Sequence, residues 1–264
     1  MRNTVAVFIG VLVSVIGIGK LSAQEALYKI WYDKPAQHWE EALPIGNGRI
    51  AAMVYGDPYS EKLQLNEETV SAGSPYQNYN KEGKLALAQI RNLIFEGKYE
   101  EAQNLGGQKI LSQVGNEMSY QTVGSLNIRY KGHKVATDYY RDLDIDQAIA
   151  TTRYKVDGVE YTQEAFASLA DQLIIVHIQS SRSRAIECEL SFNTPMKDPK
   201  YSIQKKNVLR LEGMTSGSKY FPGKVHYCAD LKVRNRGGEV LVGDTSLYVK
   251  GATELTLYIS MATN

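Results

Sequence analysis

Two short polar clusters carry the side chains best suited to recognition. They are Gly46-Asn47-Gly48-Arg49 and Gln64-Leu65-Asn66-Glu67. Asn47, Arg49, Gln64, Asn66 and Glu67 offer planar donors and acceptors of the kind that engage a polar ligand or a packed domain interface. Gly46 and Gly48 let another backbone come close. The same side chains would equally cap turns and pair within a fold, and the residues alone leave these readings open. Catalytic chemistry is harder to place. Glu67 and Glu68 form a carboxylate pair in sequence, but neighbours on a strand point to opposite faces, so at most one can face a pocket. The four histidines are His38, His133, His177 and His226, and none has a second His or Cys at metal-ligand spacing. His177 sits inside the apolar run Leu173–Ile178 and reads as a satisfied core or edge histidine. The sequence has no GxSxG, HExxH, GxxxxGK or dinucleotide fingerprint. No catalytic residue, metal ligand or cofactor site is therefore assigned. Trp31 and Trp39 are the two large aromatic platforms, although Trp39 would also serve as core.

The elements that must position these residues are mostly strands. Leu126, Ile128 and Tyr130 alternate with Asn127 and Arg129. Period-two patterns recur through Thr151–Val156, Val159–Thr162, Gln172–Gln179, Ile186–Phe192, Val208–Leu211, Val225–Val233 and Leu255–Ile259. Asp157–Gly158 is the strongest hairpin signal, since a type I′ turn needs positive φ at both central positions. Gly237–Gly238 marks another tight turn. Arg49–Tyr55 carries no charge after Arg49 and predicts a nearly fully buried strand, and residues 71–80 read as an exposed loop. One segment differs. Leu87, Ile90 and Ile94 recur at helical spacing, with Leu93 beside them, and Gly97 separates a second short helix at Tyr99–Leu105. The pattern predicts a mainly β fold: a large two-sheet antiparallel β-sandwich (supersandwich) with a short helical insert around residues 81–105.

Composition agrees. Among 264 residues there are 18 Tyr against 2 Trp and 5 Phe, and Tyr favours strands with wet faces. The 30 Lys+Arg balance 29 Asp+Glu, which argues against nucleic acid as a partner. Met1–Arg2–Asn3, an uncharged apolar run over Thr4–Gly19 and the small residues Leu21–Ser22–Ala23 read as a signal peptide, residues 1–23. Residues 24–264 then form one exported domain, periplasmic or secreted, with no membrane attachment after cleavage. Export permits disulfides. Yet Cys188 falls in phase with its apolar strand and Cys228 out of phase with its own, so a bond between them is not favoured.

Several segments resemble the N-terminal domain of glycoside hydrolase family 95, the inverting 1,2-α-L-fucosidases and their α-L-galactosidase relatives. They are Trp31–Asp33 with Pro35, Ala36 and Trp39, then Glu41 to Arg49 (EALPIGNGR), Ala52 to Gly56 (AMVYG), and Glu61 to Thr69 (EKLQLNEET). Further on come Gly73-Ser74-Pro75, the Ile90–Ala102 helix, Tyr120-Gln121, Gly124-Ser125-Leu126, and Tyr140 to Asp146 leading through Ala165–Ser168 to Asp171-Gln172. The resemblance covers nearly all of residues 27–264. Ser71 departs from it, standing where the family usually has Trp. The resemblance implies a β-sandwich that precedes a catalytic (α/α)6 barrel on the same polypeptide. It also implies that the acid and water-activating groups lie in that barrel, outside this sequence, with a fucosylated oligosaccharide as substrate. Asn47, Arg49, Gln64, Asn66 and Glu67 become substrate-rim or domain-interface candidates. The alternatives are a stand-alone carbohydrate-binding module or a non-functional remnant.

Overall fold

The computed structural model describes residues 28–71, 77, 79–112, 119–205, 207–217 and 222–264. The expected signal peptide lies outside the described residues, as does much of the 71–80 loop. Among those described, sixteen strands form two antiparallel sheets that face each other. The nine-stranded sheet runs β1 (Lys29–Tyr32), β6 (Ala136–Asp144), β7 (Ile149–Val156), β8 (Val159–Ser168), β9 (Leu173–Ser180), β16 (Glu254–Thr263), β13 (His226–Arg236), β12 (Val208–Met214) and β11 (Lys200–Gln204). The seven-stranded sheet runs β14 (Glu239–Val242), β15 (Ser246–Ala252), β10 (Ile186–Asn193), β5 (Gly124–Tyr130), β4 (Ser60–Glu67), β3 (Ile50–Val54) and β2 (Leu43–Gly46). The mainly β sandwich expected from alternation is what forms.

Alternation explains the core. Leu63 and Leu65 of β4, Leu126 and Ile128 of β5 and Leu190 of β10 point inward from one sheet. Ile174 and Val176 of β9, Leu231 of β13 and Leu257 and Ile259 of β16 meet them from the other, and all are buried. Strand β3 corrects one expectation. It is not buried throughout: Ile50, Ala52 and Val54 are inside, while Ala51 and Met53 lie on the outer face and are only half covered. Their apolar character therefore serves something other than the core.

The turns follow their chemistry. Asp157 and Gly158 both take positive φ, 49° and 74°, and close the β7–β8 hairpin with Val156 opposite Val159. Gly237 and Gly238 also take positive φ, 77° and 63°. Their turn joins no neighbouring strands; it carries the chain from β13 in one sheet to β14 in the other. A Cβ on Gly238 would lie 2.2 Å from the Lys250 carbonyl oxygen, so only glycine fits.

The helical insert is α1 (Gly83–Phe95) and α2 (Tyr99–Lys109), joined across Gly97 at φ 75°. Its buried seam is Ala86 and Ile90 against Ala102, flanked by Leu93 and Leu105. The stripe is rotated from the expected one. Leu87 and Ile94 stay largely exposed, because the small residues allow the two helices close approach and the seam is narrow. Cys188 is buried in β10 and Cys228 half-buried in β13, both free thiols. Burial pushes the Cys188 thiol up to about 12, so it stays protonated and unreactive. Among the described residues no helix is long and apolar enough to cross a membrane.

Candidate functional site

Strand β4 sorts the five candidate residues. Its inward series is Glu61, Leu63, Leu65 and Glu67; its outward series is Lys62, Gln64 and Asn66. Gln64 and Asn66 are thus separated by the thickness of the sheet from Glu67, and Glu67 joins Asn47 and Arg49 instead.

Asn47, Arg49 and Glu67 form a clamp between the sheets. Asn47 sits in the β2–β3 turn, where its Oδ1 accepts from the Arg49 and Ile50 amides at 3.1 and 3.0 Å. Its Nδ2 donates across the sandwich to the Ser168 carbonyl at 2.9 Å. Arg49 Nε donates to Gln172 Oε1 at 2.9 Å, and its Nη1 donates to the Met261 carbonyl at 3.0 Å and to Glu67 Oε1 at 3.3 Å. The other Glu67 oxygen accepts from the Thr69 amide and hydroxyl at 2.8 and 2.6 Å. Ser168, Gln172 and Met261 belong to the nine-stranded sheet and its turns. Glu67 is buried, and the clamp satisfies every charge it encloses. Thr69 reaches on to Thr263 at the end of β16.

Gln64 and Asn66 lie in a groove on the outer face of the seven-stranded sheet. The groove has a volume of about 410 Å³. Its floor is apolar, built by Pro44 of β2, Ala51 and Met53 of β3 and the backbone of Leu65. Register places Met53 beside both Pro44 and Gln64, and Ala51 beside Asn66. One wall is Trp39 and the other Tyr120 with Thr122. Trp39 and Tyr120 are 53% and 58% exposed, so Trp39 is wall and not core. Neither the Gln64 nor the Asn66 amide makes a side-chain hydrogen bond among the described residues. Among the described residues no charged side chain lines the groove.

Both walls are held in place. Trp39 opens a 3₁₀ turn, Trp39–Glu41. The Glu41 carboxylate accepts from the Gln37 and His38 amides at 2.7 and 3.4 Å, and these bonds hold it below the usual carboxylate value. Arg141 of β6 then fixes the segment from below. Its Nε and Nη1 donate to the Lys34 and Glu41 carbonyls, each at 2.8 Å, and its guanidinium lies 4.1 Å over the Tyr32 ring. Arg141 is 1% exposed, a buried cation compensated by carbonyls and an aromatic face. On the opposite wall, Tyr120 bridges to Ser71, and the Gln121 amide donates to the Val70 carbonyl at 3.0 Å. The Gln121 side chain grips the backbone of Ser216 with both its donor and its acceptor, at 2.8 and 2.9 Å.

A second acid is sealed inside. Glu61 Oε1 accepts from the Tyr55, Gly56 and Lys62 amides at 3.1, 3.0 and 3.0 Å, and its Oε2 from Gln163 Nε2 at 3.2 Å. Burial nevertheless pushes the carboxyl up to about 7. A pKa near neutrality suits a general acid, but Glu61 is 1% exposed beneath Tyr139 and Tyr130, where no substrate reaches it. The sequence pattern assigns no site role to Glu61, Arg141 or Tyr120, although all three lie in segments that carry the resemblance. The signal for Glu61 was present: the spacing Glu61-Leu63-Leu65-Glu67 puts both acids on the apolar face. His177 donates to or accepts from Thr256 Oγ1 at 3.0 Å and is satisfied on the outer face of β9. Among the described residues no three His, Cys, Asp or Glu side chains gather as a metal site.

The fold and the groove together define a two-sheet β-sandwich domain bearing an aromatic-walled surface cleft. The chain belongs to the glycosyl hydrolase family 65 N-terminal domains, whose family pattern matches residues 30–264. Among curated relatives, "Alpha-L-fucosidase 2" of Arabidopsis thaliana is 34% identical over 188 residues, 70% of this chain and 22% of the relative. "Probable alpha-fucosidase A" of Aspergillus oryzae is 27% identical over 176 residues, 63% of this chain and 23% of that protein. The namesake from Aspergillus niger is 28% identical over 170 residues, 60% of this chain and 21% of the relative. The chain thus spans about a fifth of the length of the curated relatives it matches.

Proposed function

We propose that residues 24–264 are the N-terminal sandwich of an exported α-L-fucosidase-type glycoside hydrolase of the family 95 kind. The observation that carries this reading is the 34% identity to a fucosidase over 188 residues. The sandwich supports a catalytic (α/α)6 barrel on the same polypeptide, which hydrolyses terminal α-L-fucosyl linkages of glycans. Inversion there uses one carboxylic acid to protonate the leaving oxygen and a base to activate water on the opposite face. The sandwich does not supply that pair. Among the described residues its buried acids are all partnered: Glu61 and Glu67 by backbone amides, Gln163, Arg49 and Thr69, Asp142 by Lys29 and Tyr140, and Asp144 by the Gln147 amide. Its contribution is a rigid platform, with Asn47, Arg49 and Glu67 fixing one end and Gln64 and Asn66 facing outward as rim or interface groups.

The test compares two polypeptides on an aryl α-L-fucoside. Residues 24–264 alone are expected to show no turnover, and the chain extended to the length of its relatives is expected to release β-L-fucose first. Turnover by 24–264 alone would overturn the supporting role. An extended chain that cleaves another glycoside and leaves fucosides intact would overturn the fucosidase reading. Export is checked separately: sequencing the processed protein from the extracytoplasmic fraction should give Gln24 at the N-terminus.

A further inference from the structure

We propose that the outer-face groove of the seven-stranded sheet binds a neutral saccharide ring. The ring lies between Trp39 and Tyr120 over Met53, with its hydroxyls hydrogen-bonded by the Gln64 and Asn66 amides. This goes beyond the fucosidase reading, since it concerns binding by the sandwich itself and holds whichever glycoside the full polypeptide cleaves.

Four features converge. The first is size: about 410 Å³ accommodates one or two sugar rings and falls within the usual range of small-ligand sites. The second is chemistry. A pyranose has an apolar C–H face and a rim of hydroxyls, each at once donor and acceptor. Indole and phenol rings take the apolar face, and carboxamides, which also both donate and accept, take the hydroxyls. Gln64 and Asn66 lie two residues apart on one strand, so their side chains leave the sheet about 7 Å apart, enough to reach hydroxyls on different carbons of one ring. Neither amide has a side-chain partner to give up among the described residues. The third is charge. No described lining residue is charged, so none of them compensates a phosphate, a carboxylate or an amine, and the groove they form suits a neutral ligand.

The fourth feature separates a small ligand from a docked protein. Past the groove the outer face carries charge, beginning with Lys62 over the Tyr55 ring. Farther along the same outer face stand Asn127, and Arg129 ion-paired to Glu189. A domain seated here would have to cover Lys62, Arg129 and Glu189, whereas a sugar ring leaves these charges in water. Preorganisation adds to this. Arg141 and Glu41 fix the Trp39 turn and Gln121 fixes Tyr120, so little ordering is left for the ligand to drive.

The test uses the full chain carrying Trp31→Phe, which leaves Trp39 as the lone indole. Trp31 lies on β1 in the other sheet, stacked on Tyr140, so its loss does not disturb the groove. Methyl α-L-fucoside, lactose and 2′-fucosyllactose are titrated while Trp39 fluorescence is followed, with ligand-observed saturation-transfer NMR as an indole-independent readout. At least one saccharide should give a saturable response in both. Tyr120→Ala should weaken it about tenfold, and Gln64→Ala with Asn66→Ala about fivefold, with the melting curve of the amide variant unchanged. Three results overturn the proposal: no saturable response in a chain shown by circular dichroism to be folded; binding that survives both sets of substitutions; or binding by this chain that vanishes in the polypeptide extended to relatives' length, which would make the groove a domain contact.

Discussion

The two faces of β4 spend their polar side chains in opposite ways. Inward, Glu61 and Glu67 accept seven hydrogen bonds between them, from backbone amides, Gln163, Arg49 and Thr69. Outward, the Gln64 and Asn66 amides accept and donate none to side-chain or backbone partners among the described residues. The four residues share one strand and one spacing, so local propensity cannot account for the difference. Location does. A buried carboxylate must be fully partnered or the sandwich pays its desolvation, while a half-exposed amide is free to wait on a ligand in water. Partner saturation thus separates groups that hold the fold from groups available for recognition, and substitutions on the two faces should differ accordingly.

The largest effect is expected one sheet away, at Arg141. Replacing it by Ala takes the donors from the part-buried Lys34 and Glu41 carbonyls and removes the cation over Tyr32. Two charge-assisted bonds and a cavity together give a loss of about 4 kcal/mol in urea unfolding. The same variant loosens the Trp39 turn, so the groove should fail with it even though Arg141 never enters the groove. A loss below about 1 kcal/mol would mean that the turn is held by Glu41 and the Ala36–Tyr55 backbone bond instead.

Next comes the pH dependence of Glu61. Its folded-state carboxyl is raised from 4.5 to about 7, chiefly by burial and against the pull of its backbone donors. Between those values the folded chain holds a proton that the unfolded chain has released. Stability therefore falls as pH rises from about 4.5 to 7, by about 3 kcal/mol, and levels off above. Glu61→Gln cannot ionise and should flatten that part of the profile, read as the urea midpoint across pH 4.5–8. A wild-type profile that climbs through this window would mean that the amides outweigh burial and the acid is charged throughout.

A smaller loss is expected at the clamp. Arg49→Ala removes two bonds to the opposite sheet and strands the buried Glu67 carboxylate, but the Arg49 side chain is 33% exposed and solvent screens part of its pairing. About 2 kcal/mol is expected. Glu67→Gln, which keeps an acceptor for Thr69, should lose less than Arg49→Ala. The reverse order would place the stabilisation in the Glu67–Thr69 bonds and not in the bridge between sheets.

Much of this was legible in the residue pattern, and what was not has a physical reason. Alternation in β5, the Asp157–Gly158 turn and the helix before Gly97 are local signals, and all formed near the expected positions. Strand β3 misled because Ala51 and Met53 look like core, whereas they line the groove floor. The five polar candidates were identifiable by type, but their division into clamp and groove depends on partners far along the chain. Arg49 meets Gln172, 123 residues away, and Gln163 meets Glu61 across 102. Trp39 and Tyr120 face one groove only because β2, β3, β4 and β5 lie side by side. Strand order and register set such meetings, and neither is written in local periodicity.

The smallest expected effect is the most informative about the comparison. Gln64→Ala with Asn66→Ala removes two amides that hold nothing, from an outer face already half in water, so no internal donor or acceptor loses its partner. Asn is a poor strand former, and Ala in its place costs the strand little. The unfolding free energy should shift by no more than about 0.5 kcal/mol in either direction. A loss above about 1 kcal/mol would show that the outward amides support the strand through contacts with Met53 or Tyr120, and the contrast between the two faces of β4 would fail. If the shift is small and saccharide binding still drops, then stability and recognition are carried by alternate residues of one strand, Glu61 and Glu67 inside, Gln64 and Asn66 outside.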